Sequence, residues 1–314
     1  MKAYASDAFG EPGSVREVEL EEPPAGQVRV KTVAAGLNPV DWNVGLGYLK
    51  DYLEHKFPLV LGQDLSGIVD AVGPGVEGLQ IGDEVFGGPG QPHMGRGTFA
   101  EYVIAFPRSL AAKPDDLDHV EASAIPLAGV TALMSVDALG EIDGQPIVVI
   151  GAAGGVGSFV VQIARERGAH VIGTARAANH EYLRSLGVDE AIDYSTTDVA
   201  ETIRRAHPVG IAGVIHLAGD APELEPIVRL VKDGGTVATP RMVPPMEAGR
   251  VNWVMITADV TGERLAHLLS LRQDGALKLP PTTRFALTEV TDALKTSSEG
   301  HVRGKLAILV DQNA

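Results

Sequence analysis

The chain has 314 residues, 45% hydrophobic and 21% charged, a globular balance with length enough for two domains and their cores. Its formal net charge of −15 repels nucleic acid and anionic membrane surfaces at long range, yet leaves room for a local basic pocket. There is no cysteine, which excludes disulfides and any thiolate metal centre. The opening MKAYASDAFGEPG lacks a signal-peptide core, and no apolar run approaches the roughly 18–20 residues of a membrane span. A soluble cytoplasmic protein is the expectation.

In chain order, the first third consists of short β-rich runs cut by Gly and Pro: GQVRVKTVAAGL, GIVDAVGPGV, GDEVFGG and TFAEYVIAF. Close turn signals between such runs predict a compact, barrel-like β unit. The texture changes near Leu117. From there helical patterns alternate with strand runs: LAGVTALMSVDAL, PIVVIG, GSFVVQIARERG, HVIGTA, EYLRSLG, EAIDY, VAETIRRA, GVIHLAG, LEPIVRLV and GTVAT. This alternation predicts βαβ units around a parallel sheet. ERLAHLLSLRQDG reads as a helix, Pro280–Pro281 as a break, and RFALTEVTDALKTSS with KLAILV as strand, helix and closing strand.

The β-branched run Ile147 to Ile150 suits a central parallel strand. Ala152-Ala153-Gly154-Gly155-Val156-Gly157 then takes the place of a G-x-G-x-x-G turn, with alanine at its first position. Glycine permits a sharp turn and close approach to a pyrophosphate, and a helix opening near Val156 aims its first amides at that charge. A tight turn without ligand would look similar, but the strand before it and the amphipathic helix after it favour dinucleotide binding. Ala153, Gly154, Gly155 and Val156 are its expected contacts. The next strand ends Gly173-Thr174-Ala175-Arg176. NAD-binding units usually place a carboxylate there for the ribose hydroxyls. Here Arg176 offers paired donors to a 2′-phosphate, so NADPH is the expected cofactor. Thr174, His180 and Tyr194 are further candidates near that end.

The whole chain resembles the medium-chain dehydrogenase/reductase superfamily, specifically its zinc-free quinone oxidoreductase branch. AAGLNPVDWNVGLGYL, PLVLGQDLSGIVDAVGPGV, IGDEVFG, GTFAEYV, PLAGVTAL, AAGGVG and GHVRGKLAIL carry the likeness, in the family's order. The resemblance implies an α/β fold in two domains and a homodimer. By the same resemblance, residues 1–118 and 280–314 are expected to form a GroES-like β-barrel domain, and 119–279 a Rossmann domain with a doubly wound parallel sheet. Zinc-dependent members have cysteine where Asn38 stands and Gly-His-Glu where this chain reads Gly62-Gln63-Asp64. They also carry a four-cysteine lobe where this chain has only GPGQPHMGRG. A metal-free site is therefore expected, and His93 alone does not rebuild one. Without a Lewis acid, hydride transfer suits substrates whose conjugation spreads charge, such as quinones and α,β-unsaturated carbonyls.

By the resemblance, Asn38-Pro39-Val40-Asp41 lines the cleft floor near the nicotinamide. Asn38 would donate to a substrate oxygen, and Asp41 would hold a water or its neighbours, although N-P-x-D equally reads as a helix cap. Gln63 either bonds within the cleft or fills vacated space. Tyr48 or Tyr52 would supply a phenol or stack on a flat substrate, surface packing being the plainer alternative. Thr131 matches a position that meets the nicotinamide side, unless its hydroxyl bonds its own helix. His216-Leu217-Ala218-Gly219 and Val237-Ala238-Thr239 end later strands, so the backbones of Leu217, Ala218, Val237 and Thr239 are expected along the cofactor. Arg241 reads as an exposed loop arginine before it reads as a sensor of substrate charge. Asn252 lies in a segment that often approaches the nicotinamide, and Lys305 either enters the cleft or starts a strand. No serine-histidine-acid set is visible, so no covalent nucleophile is expected, and the proton can come from solvent. Glu101 and Tyr102 read as strand residues.

The leading reading is an NADPH-dependent oxidoreductase acting on a small-molecule quinone or enone. One alternative is an enoyl-thioester reductase of polyketide or fatty-acyl metabolism, weakened by Pro39-Val40 where such domains usually carry an aromatic and an arginine. Another is a non-catalytic NADPH-binding structural or regulatory protein.

Overall fold

The computed structural model describes residues 1–247 and 249–311. The chain divides into two compact units. The first holds Met1–Ala128, Val260–Leu269 and the chain from Pro281 onward; the second holds Gly129–Asp259 and Ser270–Pro280.

The first unit lays down β1 (Lys2–Ser6), β2 (Ser14–Glu17), β3 (Val28–Leu37), α1 (Pro39–Gly45), β4 (His55–Val60), β5 (Leu65–Val72), β6 (Glu84–Gly87), β7 (Met94–Arg96), β8 (Tyr102–Ala105), β9 (Leu110–Ala112) and α2 (His119–Ser123). The division between units falls inside α3 (Pro126–Asp137). The sequence reading assigned 119–128 to the second unit, but α2 packs on β3 and β5 and so stays with the first. The second unit contains β10 (Pro146–Ile150), α4 (Gly155–Glu166), β11 (His170–Thr174), α5 (His180–Leu186), β12 (Glu190–Ile192), α6 (Val199–Ala206), β13 (Ile211–His216), α7 (Ala221–Val228), β14 (Val231–Thr239) and β15 (Asn252–Met255). After α8 (Gly262–Gln273), β16 (Thr282–Ala286), α9 (Val290–Glu299) and β17 (Lys305–Leu309) belong to the first unit.

β3 is the spine of the first unit. Val28 and Val30 are buried while Arg29 and Lys31 are half-exposed, the alternation of a one-faced strand; from Thr32 to Leu37 every residue is buried. The larger sheet runs β16-β17-β3-β5-β6-β9, with β8 also on β3, and a smaller one runs β2-β1-β4-β7. β17 is antiparallel to β3, with Leu306 opposite Leu37. This pairing sets Lys305, near the chain's end, beside the strand that leads into Asn38. Leu37, Leu59, Phe99, Leu306 and Ile308 share one buried cluster.

The second unit is a parallel sheet in the order β12-β11-β10-β13-β14-β15. Its strand order reverses direction between β10 and β13, the switch point where doubly wound sheets bind ligands at their carboxyl ends. Ile147, Val148 and Val149 of β10 are wholly buried, as a strand covered on both faces requires. The buried stretch Phe159–Ala164 of α4 supplies apolar surface for the unit's interior. Among the described residues no helix is long and apolar enough to cross a membrane.

Candidate active site

At the carboxyl end of β10 the chain turns sharply at Gly151, whose φ is +85°, a region open to glycine and strained for other residues. Gly154 and Gly157 hold the third and sixth places of the motif that has Ala152 first, and the bend falls on the glycine before it. Gly154 caps α4, and Gly155, Val156 and Gly157 form its first turn. A Cβ on Gly157 would stand 2.3 Å from Gly151 O, so only glycine lets helix and turn approach this closely. Thr174 locks the turn from β11: its Oγ1 accepts the Gly151 N–H at 3.2 Å and its carbonyl the Ala152 N–H at 3.2 Å. Its hydroxyl therefore holds the cradle. α4 is twelve residues long, and its free first-turn amides with the adjacent glycines fit a pyrophosphate.

Arg176 is exposed just past β11. His180 opens α5, with Nε2 3.2 Å from Ala175 O, and Tyr194 is 44% exposed. Asp193, unnoticed in the sequence, follows β12 and accepts the Ala177 N–H at 3.1 Å. Hydrogen bonds from Ser195 hold its carboxyl below the ordinary range. A carboxylate therefore stands one residue from Arg176, contributed by the neighbouring strand.

At the ends of β13 and β14 the backbone of Leu217 donates to Ile150 O at 3.0 Å, and Ala218 is exposed beside Gly151. Val237 and Thr239 are fully buried. His216, expected only as a strand end, has a side-chain role that the sequence does not report. Fully buried, it pairs Nδ1 with Thr239 Oγ1 at 3.1 Å and Nε2 with Gly219 O at 3.2 Å. Burial, and then the Arg241 charge, push its pKa down to about 4. Arg241 donates its backbone N–H to Thr239 Oγ1 at 3.1 Å, and its Nη2 stands 3.6 Å from Asp220 Oδ1. Thr131 is 6% exposed in α3. Asn252 is a correction. It begins β15 and donates to Gly234 O at 2.8 Å, so it lies at the amino edge of a parallel sheet whose crevice forms at the carboxyl edge.

In the first unit, Asn38, Asp41, Asp64 and Lys305 are all 4% exposed or less. Asn38 caps α1 by its position, but its side chain turns elsewhere. Its Nδ2 donates to Asp64 Oδ2 at 2.8 Å and its Oδ1 accepts from Lys305 Nζ at 2.5 Å. Chemistry fixes the amide's orientation, because an ammonium only donates and a carboxylate only accepts. Lys305 Nζ also donates to Leu37 O at 3.0 Å and stands 3.6 Å from Asp64 Oδ2. Asp64 Oδ1 accepts the Leu127 N–H at 2.8 Å. Asp41 closes the cap by accepting the Asn38 N–H at 2.7 Å. Burial drives its pKa up to about 7, helped by Asp64 and opposed by the N–H groups of Asn38 and Gly62 and by Lys305. Burial also pushes the Asp64 carboxyl up and the Lys305 ammonium down, each opposing the other's shift. Asn38 is thus committed through both polar ends of its side chain, and Asp41 is a cap.

The remaining candidates lie outside this cluster's bonds. Gln63 donates Nε2 to Met94 Sδ at 3.3 Å. Tyr48 is 63% exposed and edge-on to Trp42, with centroids 6.4 Å apart, and Tyr52 is 68% exposed. Glu101 bonds the Lys2 N–H, and Tyr102 lies under Arg29, both strand-side roles.

The alcohol dehydrogenase GroES-like domain matches residues 24–115, and the family described as zinc-binding dehydrogenase matches 155–270. A chloroplast envelope quinone oxidoreductase homolog of Arabidopsis thaliana is 31% identical over 308 residues, covering 93% of this chain and 92% of the relative. A 2-methylene-furan-3-one reductase of Solanum lycopersicum is 34% identical, covering 98% of this chain and 79% of its own. The solved structure of a quinone oxidoreductase from Coxiella burnetii superposes with a TM-score of 0.87 at 31% identity, over 99% of each chain. Fold and site thus define a two-domain oxidoreductase with a GroES-like domain and a Rossmann domain. The chain belongs to the quinone oxidoreductase branch of the medium-chain dehydrogenase/reductase superfamily.

Proposed function

We propose that the chain transfers hydride from NADPH to a quinone or an α,β-unsaturated carbonyl, without a catalytic metal. The observation that carries this is the Asn38–Asp64–Lys305 cluster. The second family's description implies zinc, but the donor set does not fit it: the chain has no cysteine, and Asn38 and Gln63 are neutral amides. The cation beside Asn38 and Asp64 is Lys305. A substrate that spreads its own developing charge suits such a site better than an isolated ketone. The tomato relative, a furanone reductase by name, supports the enone side of this reading.

The bound nicotinamide supplies the hydride. The chain's own part is binding and placement. Gly155 and Val156 offer their N–H groups to the pyrophosphate, with Gly154 leaving room for its close approach and the Gly151 turn braced by Thr174. Arg176 and His180 are offered to the 2′-phosphate. Thr131 is offered to the nicotinamide side, and the backbones of Leu217, Ala218, Val237 and Thr239 to the length of the cofactor. Cytoplasmic residence and a homodimer belong to the same reading, as does the absence of a nucleic-acid partner, for which the net charge of −15 argues.

The test is steady-state oxidation of NADPH and NADH against benzoquinone, phenanthrenequinone, cyclohexenone and a crotonyl thioester, before and after exhaustive chelation. Turnover of quinone or cyclohexenone with NADPH, surviving chelation, is the expected result. Loss of rate on chelation removes the metal-free chemistry, and preference for the thioester moves the substrate to acyl chains.

A further inference from the structure

The second unit holds ligand-type side chains that cofactor binding leaves unused. His170 Nε2 lies 2.7 Å and His207 Nε2 2.9 Å from the same atom, Glu190 Oε1. All three atoms lie within 4.8 Å of one another. Separate elements bring them together: His170 opens β11, Glu190 opens β12, and His207 follows α6 on the way to β13. The cluster therefore sits at the amino ends of parallel strands. The glycine turn rests on Thr174 at the other end of β11, about 13 Å further along at the usual rise per residue.

We propose that His170, Glu190 and His207 bind a zinc-like divalent transition-metal ion that clamps this edge of the sheet. Two imidazoles and a carboxylate, with a position left for water, are a ligand set that zinc accepts in tetrahedral geometry. Bonds of about 2.0–2.2 Å put neighbouring tetrahedral ligands about 3.4 Å apart, so the present contacts need open by only a fraction of an ångström. The side chains are 39%, 33% and 15% exposed for His170, Glu190 and His207, which gives an ion a path in and an open face. Asp189 Oδ2 stands 3.9 Å from His170 Nδ1. The Nε2 protons that now face Glu190 Oε1 leave when an ion binds, so the ion takes the place of the two hydrogen bonds. The imidazoles disfavour calcium and magnesium, which prefer oxygen. With no cysteine in the chain, no thiolate competes for the ion. The ion ties β11, β12 and the approach to β13, so it acts on stability and leaves the proposed hydride chemistry untouched.

The experiment titrates the untagged protein with zinc chloride, and separately with magnesium chloride, by calorimetry at neutral pH, and follows melting with each ion. One saturable zinc site per chain is expected, with none for magnesium. Zinc should raise the melting temperature without changing the initial rate of NADPH oxidation, and its binding should weaken as the medium is made more acid, because protons compete for the ligand nitrogens. His207→Ala and Glu190→Gln should each weaken zinc by roughly 100-fold or more, beyond the 10–100-fold typical of losing an outer-shell partner. Both variants should keep the wild-type circular dichroism and cofactor binding, which separates ligand loss from misfolding. His170→Gln serves in place of either if it fails to fold. Absence of saturable zinc binding in the wild type, or binding that persists in the folded variants, overturns the proposal.

Discussion

The two units both keep polar side chains out of water, and they do it in opposite ways. The first buries ionisable side chains: Asp41, Asp64 and Lys305 are 1%, 0% and 4% exposed, with Asn38 bridging the last two. The second buries neutral polar groups, His216, Thr174 and Thr239, and leaves its ligand cradle to backbone amides. An ionic cluster gains little net stability from existing, because desolvation offsets attraction, but it is expensive to leave half-made. A neutral cradle tolerates more and discriminates through what stands at its rim.

Lys305→Met gives the largest expected effect and tests that contrast directly. It leaves Asp64 and Asn38 Oδ1 without their cation, and should cost about 3–5 kcal/mol of stability in chemical denaturation. Adding Asp64→Leu should recover part of the loss, since a matched apolar pair replaces ions at little penalty. A loss below about 1 kcal/mol for the single change would place the cluster among weakly coupled surface pairs and end the comparison.

The units should also answer pH in opposite senses. Asp41 has a folded pKa raised to about 7, so the folded state holds a proton that the unfolded state has lost. Its contribution is present below its unfolded pKa near 3.8 and disappears as pH rises toward 7. At ~1.4 kcal/mol per unit that is at most about 4 kcal/mol. His216 has a folded pKa lowered to about 4 from 6.5. Its contribution is present above 6.5 and is lost as pH falls toward 4, by about 3 kcal/mol on the same scale. Asp41→Asn should remove the falling limb and His216→Gln the rising one, in denaturation curves taken across that range. If both variants shift the curve the same way, one of the two burial assignments is wrong.

The glycine turn was legible in the sequence because its cause is local. Residues 151–157 are consecutive, and both the positive φ of Gly151 and the crowding at Gly157 arise within that stretch. The bend itself falls on Gly151, one residue before the motif, and a glycine pattern does not say which glycine bends. The charged cluster was legible only in part: Asn38 and Lys305 were candidates, while Asp64 entered only as the residue standing where zinc-dependent relatives have glutamate. Asn38, Asp64 and Lys305 come together through the pairing of β17 with β3 across most of the chain, and nothing in a one-dimensional pattern reports that Asp64 takes the amide N–H expected to face a substrate oxygen. Asn252 was misplaced for a related reason: which end of β15 a residue occupies depends on where the strand begins.

Arg176→Ala tests the cradle's rim. If its guanidinium meets the 2′-phosphate, NADPH affinity should fall by roughly 1.5–3 kcal/mol, the range for hydrogen bonds to charged groups, while NADH is unchanged. Equal losses for both cofactors, measured by fluorescence titration, would place Arg176 in the turn's structure and leave cofactor choice unexplained.

Asp193 should give the smallest effect, and it asks whether the rim's reading was complete. Strand β11 ends without a carboxylate, but Asp193 follows the adjacent β12 and bonds the Ala177 N–H at 3.1 Å, next to Arg176. A carboxylate so placed repels a 2′-phosphate and occupies an amide that a phosphate would otherwise take. Water screens an exposed group, so the repulsion is modest. Asp193→Asn keeps the hydrogen-bond acceptor and removes the charge. It should raise the ratio of NADPH to NADH affinity a few-fold at low ionic strength, with the gain shrinking as salt is added. A ratio that stays flat at low salt means the carboxylate only staples the turn between β11 and α5. A ratio that moves toward NADH means Asp193 holds Arg176 in its phosphate-facing position, and the two residues must then be read as one device.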